Sequence, residues 1–285
     1  INFNADTMTS INKEDLRIVF MGTPEFAVQS LKILVENKYN IVGVVTAPDR
    51  PAGRGRKIQE SDVKKYAVGK NLKVLQPEKL KNPDFISDLK ELNANLQIVV
   101  AFRMLPEIVW NMPEFGTFNL HASLLPQYRG AAPINRAIMN GEKETGITTF
   151  FLQQEIDTGS IIMQEKVGID ILDNAGSLHD KLMFSGSELV LKTVERISSG
   201  EISSIDQSEF ISNETKLNEA PKIFKEDCRI SWQLDIESLF NHIRGLSPYP
   251  AAWTVLRFPN GDEVQVKIYD VENFYDESKL DPGFL

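Results

Sequence analysis

Two polar side chains interrupt an apolar run at Phe118-Asn119-Leu120-His121, and a carboxylate follows in Glu155-Ile156-Asp157-Thr158-Gly159. The run reads as a strand. Side chains of a strand alternate between its faces, so Asn119 and His121 share one face. An amide donor, an imidazole and a carboxylate form an acyl-transfer set: one steadies an oxyanion, one carries a proton, and one orients the carrier. A structural account, with both polar groups hydrogen-bonded into the fold, stays open on spacing alone. Placement just before a loop with Pro126 and Gly130 suits chemistry, because open α/β sheets bind ligands beyond the carboxyl ends of their strands. His179 and His242 sit in helical stretches and read as structural. No convincing covalent nucleophile stands beside the trio, which points to direct transfer between two bound substrates.

A second segment follows an early strand and carries Arg50, Arg54, Arg56 and Lys57 against the single acid Asp49, among two prolines and two glycines. Four cations on one loop of a protein with net charge −9 suit contact with phosphates, which a guanidinium can grip bidentately. A solvated charged loop is the alternative. The first strand-turn-helix has one glycine, Gly22, where the dinucleotide fingerprint needs three, so NAD binding is not expected.

Positioning these residues requires a sheet. Strands expected at 16–20, 41–45, 73–75, 96–102 and 117–120 alternate with helical stretches, which predicts an α/β fold with a doubly wound, mostly parallel sheet. Thr23 is expected to cap the first helix, with Pro24 in its first turn. Strands at 146–152 and 161–167 flank the Asp157 turn. Leu178, Leu182, Gly186, Val190, Val194 and Ile197 predict a helix over 175–199. A catalytic unit is therefore expected over 16–200, a polar linker over 201–219, and a smaller second unit over 220–285. The second unit should hold a helix near 236–245 and a hairpin of strands 254–258 and 263–269 around Asn260-Gly261. It ends in a run that reads as the start of another strand, so this unit looks truncated.

The 285 residues are 42% hydrophobic and 25% charged, as in globular proteins. No apolar run is long enough to span a bilayer, and the first 15 residues read as neither signal nor transit peptide, so no membrane partner is expected. Met8 would suit a native start, with residues 1–7 as an extension. One cysteine, Cys228, excludes an internal disulfide and a thiolate metal cluster, and a cytoplasmic location is expected.

Several stretches together carry a family resemblance. They are Phe20-Met21-Gly22-Thr23-Pro24-Glu25-Phe26, Pro48-Asp49-Arg50-Pro51-Ala52-Gly53-Arg54-Gly55, the run from Asn119 through Ser123-Leu124-Leu125-Pro126 to Ile134, and Asp157-Thr158-Gly159. On these residues the chain resembles the folate-dependent formyltransferase family, and its Arg-rich loop resembles the tRNA-acting branch. The resemblance implies a Rossmann-like catalytic domain, a C-terminal β-barrel-like domain, and no metal. It implies transfer of formyl from 10-formyltetrahydrofolate to the α-amino group of methionyl initiator tRNA through a tetrahedral intermediate. Asn119 would steady the formyl oxygen and His121 would shuttle the proton. Asp157 would hold His121 in a useful tautomer, directly or through water. Folate contacts would come from Phe102, Met104, Leu105 and Pro106, from Ser123, Leu124, Leu125 and Pro126, and from Glu155 and Ile156. Arg50, Arg54, Arg56 and Lys57 would meet the tRNA, together with the second domain, and a monomer is expected. The chain departs from the family at Phe102-Arg103-Met104, which is one residue short and lacks a glycine, and at Gln153-Gln154-Glu155. Formyl transfer to an amino sugar nucleotide or other small amine, and a non-catalytic tRNA-binding relative, are the competing readings.

Overall fold

The computed structural model describes residues 11–52, 57–212 and 216–272. The first unit runs β1 (Arg17–Gly22), α1 (Glu25–Glu36), β2 (Asn40–Val45), β3 (Arg50–Ala52), β4 (Lys57–Gln59), α2 (Asp62–Gly69), β5 (Val74–Leu75) and α3 (Pro83–Glu91). It continues with β6 (Leu96–Val100), α4 (Glu107–Trp110), β7 (Thr117–His121), β8 (Arg129–Gly130), α5 (Pro133–Met139), β9 (Glu144–Phe151), β10 (Ile161–Gly168) and α6 (Ala175–Ser199). Beyond it come β11 (Glu219–Ala220), α7 (Ile236–Leu246), β12 (Ala252–Arg257) and β13 (Glu263–Ile268).

The central sheet has seven strands in the order β10-β9-β7-β6-β1-β2-β5. Strands β7, β6, β1, β2 and β5 are parallel, and β9 and β10 add an antiparallel edge. The chain moves outward from β1 through β2 to β5 and then returns to β6 and β7 on the other side. The carboxyl ends of β1 and β6 therefore diverge at a switch point, where such sheets open a crevice.

Strand alternation sorts the core into two layers. On β1, Ile18 and Phe20 join the layer under α1 and α6, while Val19 and Met21 join the layer under α3 and α4. On β7, Phe118 and Leu120 enter the first layer. Asn119 and His121 thus turn to the opposite face, as the spacing requires.

Helix α6 spans the expected residues because both ends are specified: a capping box of Asn174 and Ser177 starts it, and Gly200 at φ 76° ends it. Two local expectations are corrected. Pro24, not Thr23, occupies the N-cap of α1, and no side chain caps that end. Strand β6 stops at Val100 because Ala101 turns into the left-handed region at φ 47°. That turn releases Phe102 from the sheet.

The polar segment after α6 does not run free of the sheet. Ile205 bridges to Ile161 at the edge strand, and a short 3-10 turn over Gln207–Phe210 follows, with Gln207 only 2% exposed. Strand β11 then pairs in parallel with β8. In the second unit Cys228, Ile230, Ile243, Leu246 and Ala252 form a small separate core. Arg244, buried, joins this unit to the first by donating to the Asp173 carbonyl at 2.7 Å.

Candidate active site

His121 ends β7 and is 6% exposed. Its Nε2 lies 2.8 Å from the Tyr128 carbonyl oxygen. A carbonyl can only accept, so Nε2 carries the hydrogen, and in the neutral ring the lone pair resides on Nδ1. Nδ1 faces Asp157 Oδ2 at 3.7 Å, longer than a direct hydrogen bond. The ring also meets Phe150 edge-on, with centroids 6.5 Å apart.

Asp157 sits at φ +54°, a left-handed conformation that Asp tolerates better than most residues. Its Oδ2 accepts from the Gly130 backbone N–H at 3.0 Å. One short stretch, Tyr128 to Gly130, therefore supplies the acceptor for His121 and the donor for Asp157. The Asp157 turn closes tightly against β9, and a Cβ on Gly159 would lie 1.7 Å from the Phe151 carbonyl oxygen. Only glycine fits there.

Asn119 is half-buried one strand position pair before His121, and its Oδ1 is buried without a protein partner. Buried polar atoms are normally paired, so an unpartnered amide oxygen beside a cavity is a feature of a ligand site. Asn119, His121 and Asp157 all line one cavity of about 870 Å³ at the carboxyl ends of the strands.

Of the expected folate-facing residues, Phe102, Met104, Leu105, Glu155 and Ile156 line this cavity. Ser123, Leu124, Leu125, Pro126 and Pro106 are not among its lining residues. The reason is packing. Leu125 is 1% exposed against Phe150 and Ile161, and Ser123 is fully buried with its hydroxyl donating to the Gln127 carbonyl at 2.6 Å. Leu124 packs on Gly146 beneath the sheet edge, and Pro126 is buried. Pro106 serves instead as the N-cap residue of α4.

His179, read as structural, also lines the cavity and meets Phe26 edge-on at 5.2 Å. Sequence reasoning assigns no site role to Arg103, Tyr128 or Gln207. Arg103 lines the cavity and donates to the Pro77 and Glu78 carbonyls at 2.7 and 2.9 Å. Burial, reinforced by Arg50, pulls its pKa below the usual guanidinium range.

Residues 16–194 match the family profile described as formyl transferase, and residues 222–285 match the formyl transferase C-terminal domain. The chain belongs to the formyl transferase family. Methionyl-tRNA formyltransferase of Bacteroides fragilis is 59% identical over 275 residues, covering 96% of this chain and 85% of that protein. Two solved structures share the fold. A 4-N formyltransferase from Francisella tularensis superposes with a TM-score of 0.68 at 18% identity, over 90% of this chain and 98% of its own. An N-formyltransferase from Helicobacter canadensis, in complex with folinic acid and dTDP-3-aminofucose, gives 0.60 at 22% identity, over 85% and 88%.

In this formyltransferase the basic segment forms the hairpin β3–β4, with Arg50 exposed at its start. Arg54 and Arg56 lie outside the described residues, and Lys57 opens β4. The base of the hairpin is fixed: Lys64 and Gln76 both donate to Asp49, and those bonds hold its carboxyl below the usual carboxylate range. Cys228 lies in the core of the second unit, outside the cavity lining, and burial raises its thiol pKa. It offers the site no thiolate. No helix among the described residues is long and apolar enough to cross a membrane.

Gly159→Ala should force the Asp157 turn away from β9. The expected outcome is a loss of about 1–3 kcal/mol of stability, read by urea unfolding, with a fall in transferase activity. Wild-type behaviour in both would contradict the tight closure.

Proposed function

We propose that this formyltransferase moves a formyl group from 10-formyltetrahydrofolate to the α-amino group of methionyl initiator tRNA. The reading is carried by the convergence of Asn119, His121 and Asp157 on one cavity, in a chain 59% identical to a methionyl-tRNA formyltransferase. The cavity chemistry fits a reduced folate. Val99, Phe102, Leu105, Trp110 and Leu152 offer apolar surface for a flat ring, next to Asn119, whose buried Oδ1 has no protein partner. The donor supplies the formyl carbon, and the chain supplies charge stabilisation and proton movement.

Asn119 donates to the formyl oxygen as that oxygen gains negative charge. His121 accepts a proton at Nδ1, because Nε2–H is committed to the Tyr128 carbonyl. The proton then lies between His121 and the Asp157 carboxylate, whose 3.7 Å separation leaves the pair free to adjust as it moves on to the departing nitrogen. Gly130 holds Asp157 in place throughout. Phe150 meets the His121 ring edge-on, and Phe102 and Leu152 add apolar wall to the cavity. Arg50, Arg54, Arg56 and Lys57 would meet tRNA phosphates, and the second unit would extend that contact.

The test is transfer of labelled formyl with methionyl initiator tRNA, methionyl elongator tRNA and an amino sugar nucleotide offered in parallel. Label is expected on the initiator tRNA, and label on the sugar would overturn the substrate. In this assay Asn119→Ala and Asp157→Asn should each lower kcat/KM by roughly 10²-fold or more. Arg54→Ala should raise KM for tRNA and flatten the salt dependence of binding, leaving KM for folate in place. An unchanged salt slope would remove the hairpin from the tRNA contact.

A further inference from the structure

Gln207 lies fifty residues beyond Asp157, in the polar segment between the two units, yet it is 2% exposed. Its amide orientation is unambiguous. Oε1 accepts from Arg129 Nε and Nη2 at 3.1 and 2.6 Å, and a guanidinium can only donate. Nε2 donates to the carbonyl oxygens of Asp157 and Gly159 at 2.9 and 2.8 Å, and carbonyls can only accept. Every valence of the buried amide is therefore spent on two backbone points and one guanidinium.

Those partners are the supports of the catalytic pair. Asp157 O and Gly159 O bracket the left-handed turn that aims the Asp157 carboxylate. Arg129 stands between Tyr128, whose carbonyl fixes His121, and Gly130, whose N–H holds Asp157. The same stretch is gripped again just downstream, where Tyr128 N–H donates to the Asn218 carbonyl at 2.7 Å and β11 pairs with β8. The Tyr128 hydroxyl is anchored by donation to Glu142 at 2.5 Å, and burial together with that carboxylate pushes its pKa up to about 12, so it remains a donor.

We propose that Gln207 is a positioning residue for proton transfer: it ties the turn bearing Asp157 to the stretch Tyr128–Gly130, and so sets the His121–Asp157 separation. The connecting segment thereby belongs to the active-site framework. This rests on the reading of His121 and Asp157 as the proton-transfer pair. A residue that only stabilised the fold would change activity equally whether or not Asp157 could act. A positioning residue acts through Asp157 and loses its effect when the carboxylate is gone.

The experiment is a double-mutant cycle on the full chain, using Gln207→Met, Asp157→Asn and the pair, with kcat and both KM values measured. Gln207→Met preserves length and removes all four bonds. Gln207→Glu keeps the Arg129 partner and removes both donations to the turn, so it serves where the Met variant folds poorly. Either variant should lower kcat by about 10- to 100-fold with KM values within roughly threefold, since small misplacements of reacting groups cost rate more than binding. In the Asp157→Asn background the same change should cost less than about threefold in kcat. Equal losses in both backgrounds, or wild-type kcat in both Gln207 variants, would overturn the positioning role alone. Wild-type kcat in Asp157→Asn would overturn the proton-transfer reading beneath it.

Discussion

The site depends on one hydrogen bond, from His121 Nε2–H to the Tyr128 carbonyl. It decides which ring nitrogen is free. With Nε2 committed, proton uptake occurs at Nδ1, and Nδ1 is the nitrogen that faces Asp157. Asp157 is in turn oriented by the Gly130 N–H, two residues along the stretch that offers the carbonyl. A backbone segment, rather than a third catalytic side chain, thus fixes tautomer and carboxylate together. Backbone groups suit this task because their positions are set by the strand pairing of β8 with β11 and lose no rotamer freedom on catalysis.

The sheet explains why the cavity lies where it does. Parallel strands that diverge at a switch point leave their carboxyl ends open, and β7 delivers Asn119 and His121 there on one face. β9 ends at Phe151 opposite Phe118, and the loop that follows folds back so that Asp157 faces His121. The cavity wall is apolar around Phe102, Leu105 and Trp110, while Arg103 brings positive charge to it and feels the charge of Arg50. A net charge of −9 over the whole chain coexists with this local positive field, because screening limits each charge to its own neighbourhood.

Much of this was legible in the sequence. The trio could be read because Asn119 and His121 break an apolar strand at a spacing that dictates a shared face. The helix Ala175–Ser199 could be read because both its period and its ends are specified. Motif resemblance marks the Ser123–Pro126 stretch but does not distinguish residues that touch a ligand from residues that support those that do. Ser123 and Leu125 are buried supports. Thr23 was misread as a cap because cap preference is a local propensity, and the chain instead begins α1 after Pro24. Gln207 was invisible for a different reason: a single polar residue in a Ser- and Asn-rich stretch has no period, and its burial comes from tertiary contacts alone.

The most direct test is the tautomer of His121, read by long-range ¹H–¹⁵N correlation spectra on protein labelled at histidine. The chain has three histidines, so His121→Gln assigns the signal by its loss. In the neutral ring, His121 is expected to carry hydrogen on Nε2 and none on Nδ1. A protonated Nδ1 in the neutral ring would place the hydrogen toward Asp157, break the bond to Tyr128, and contradict the arrangement on which the rest is built.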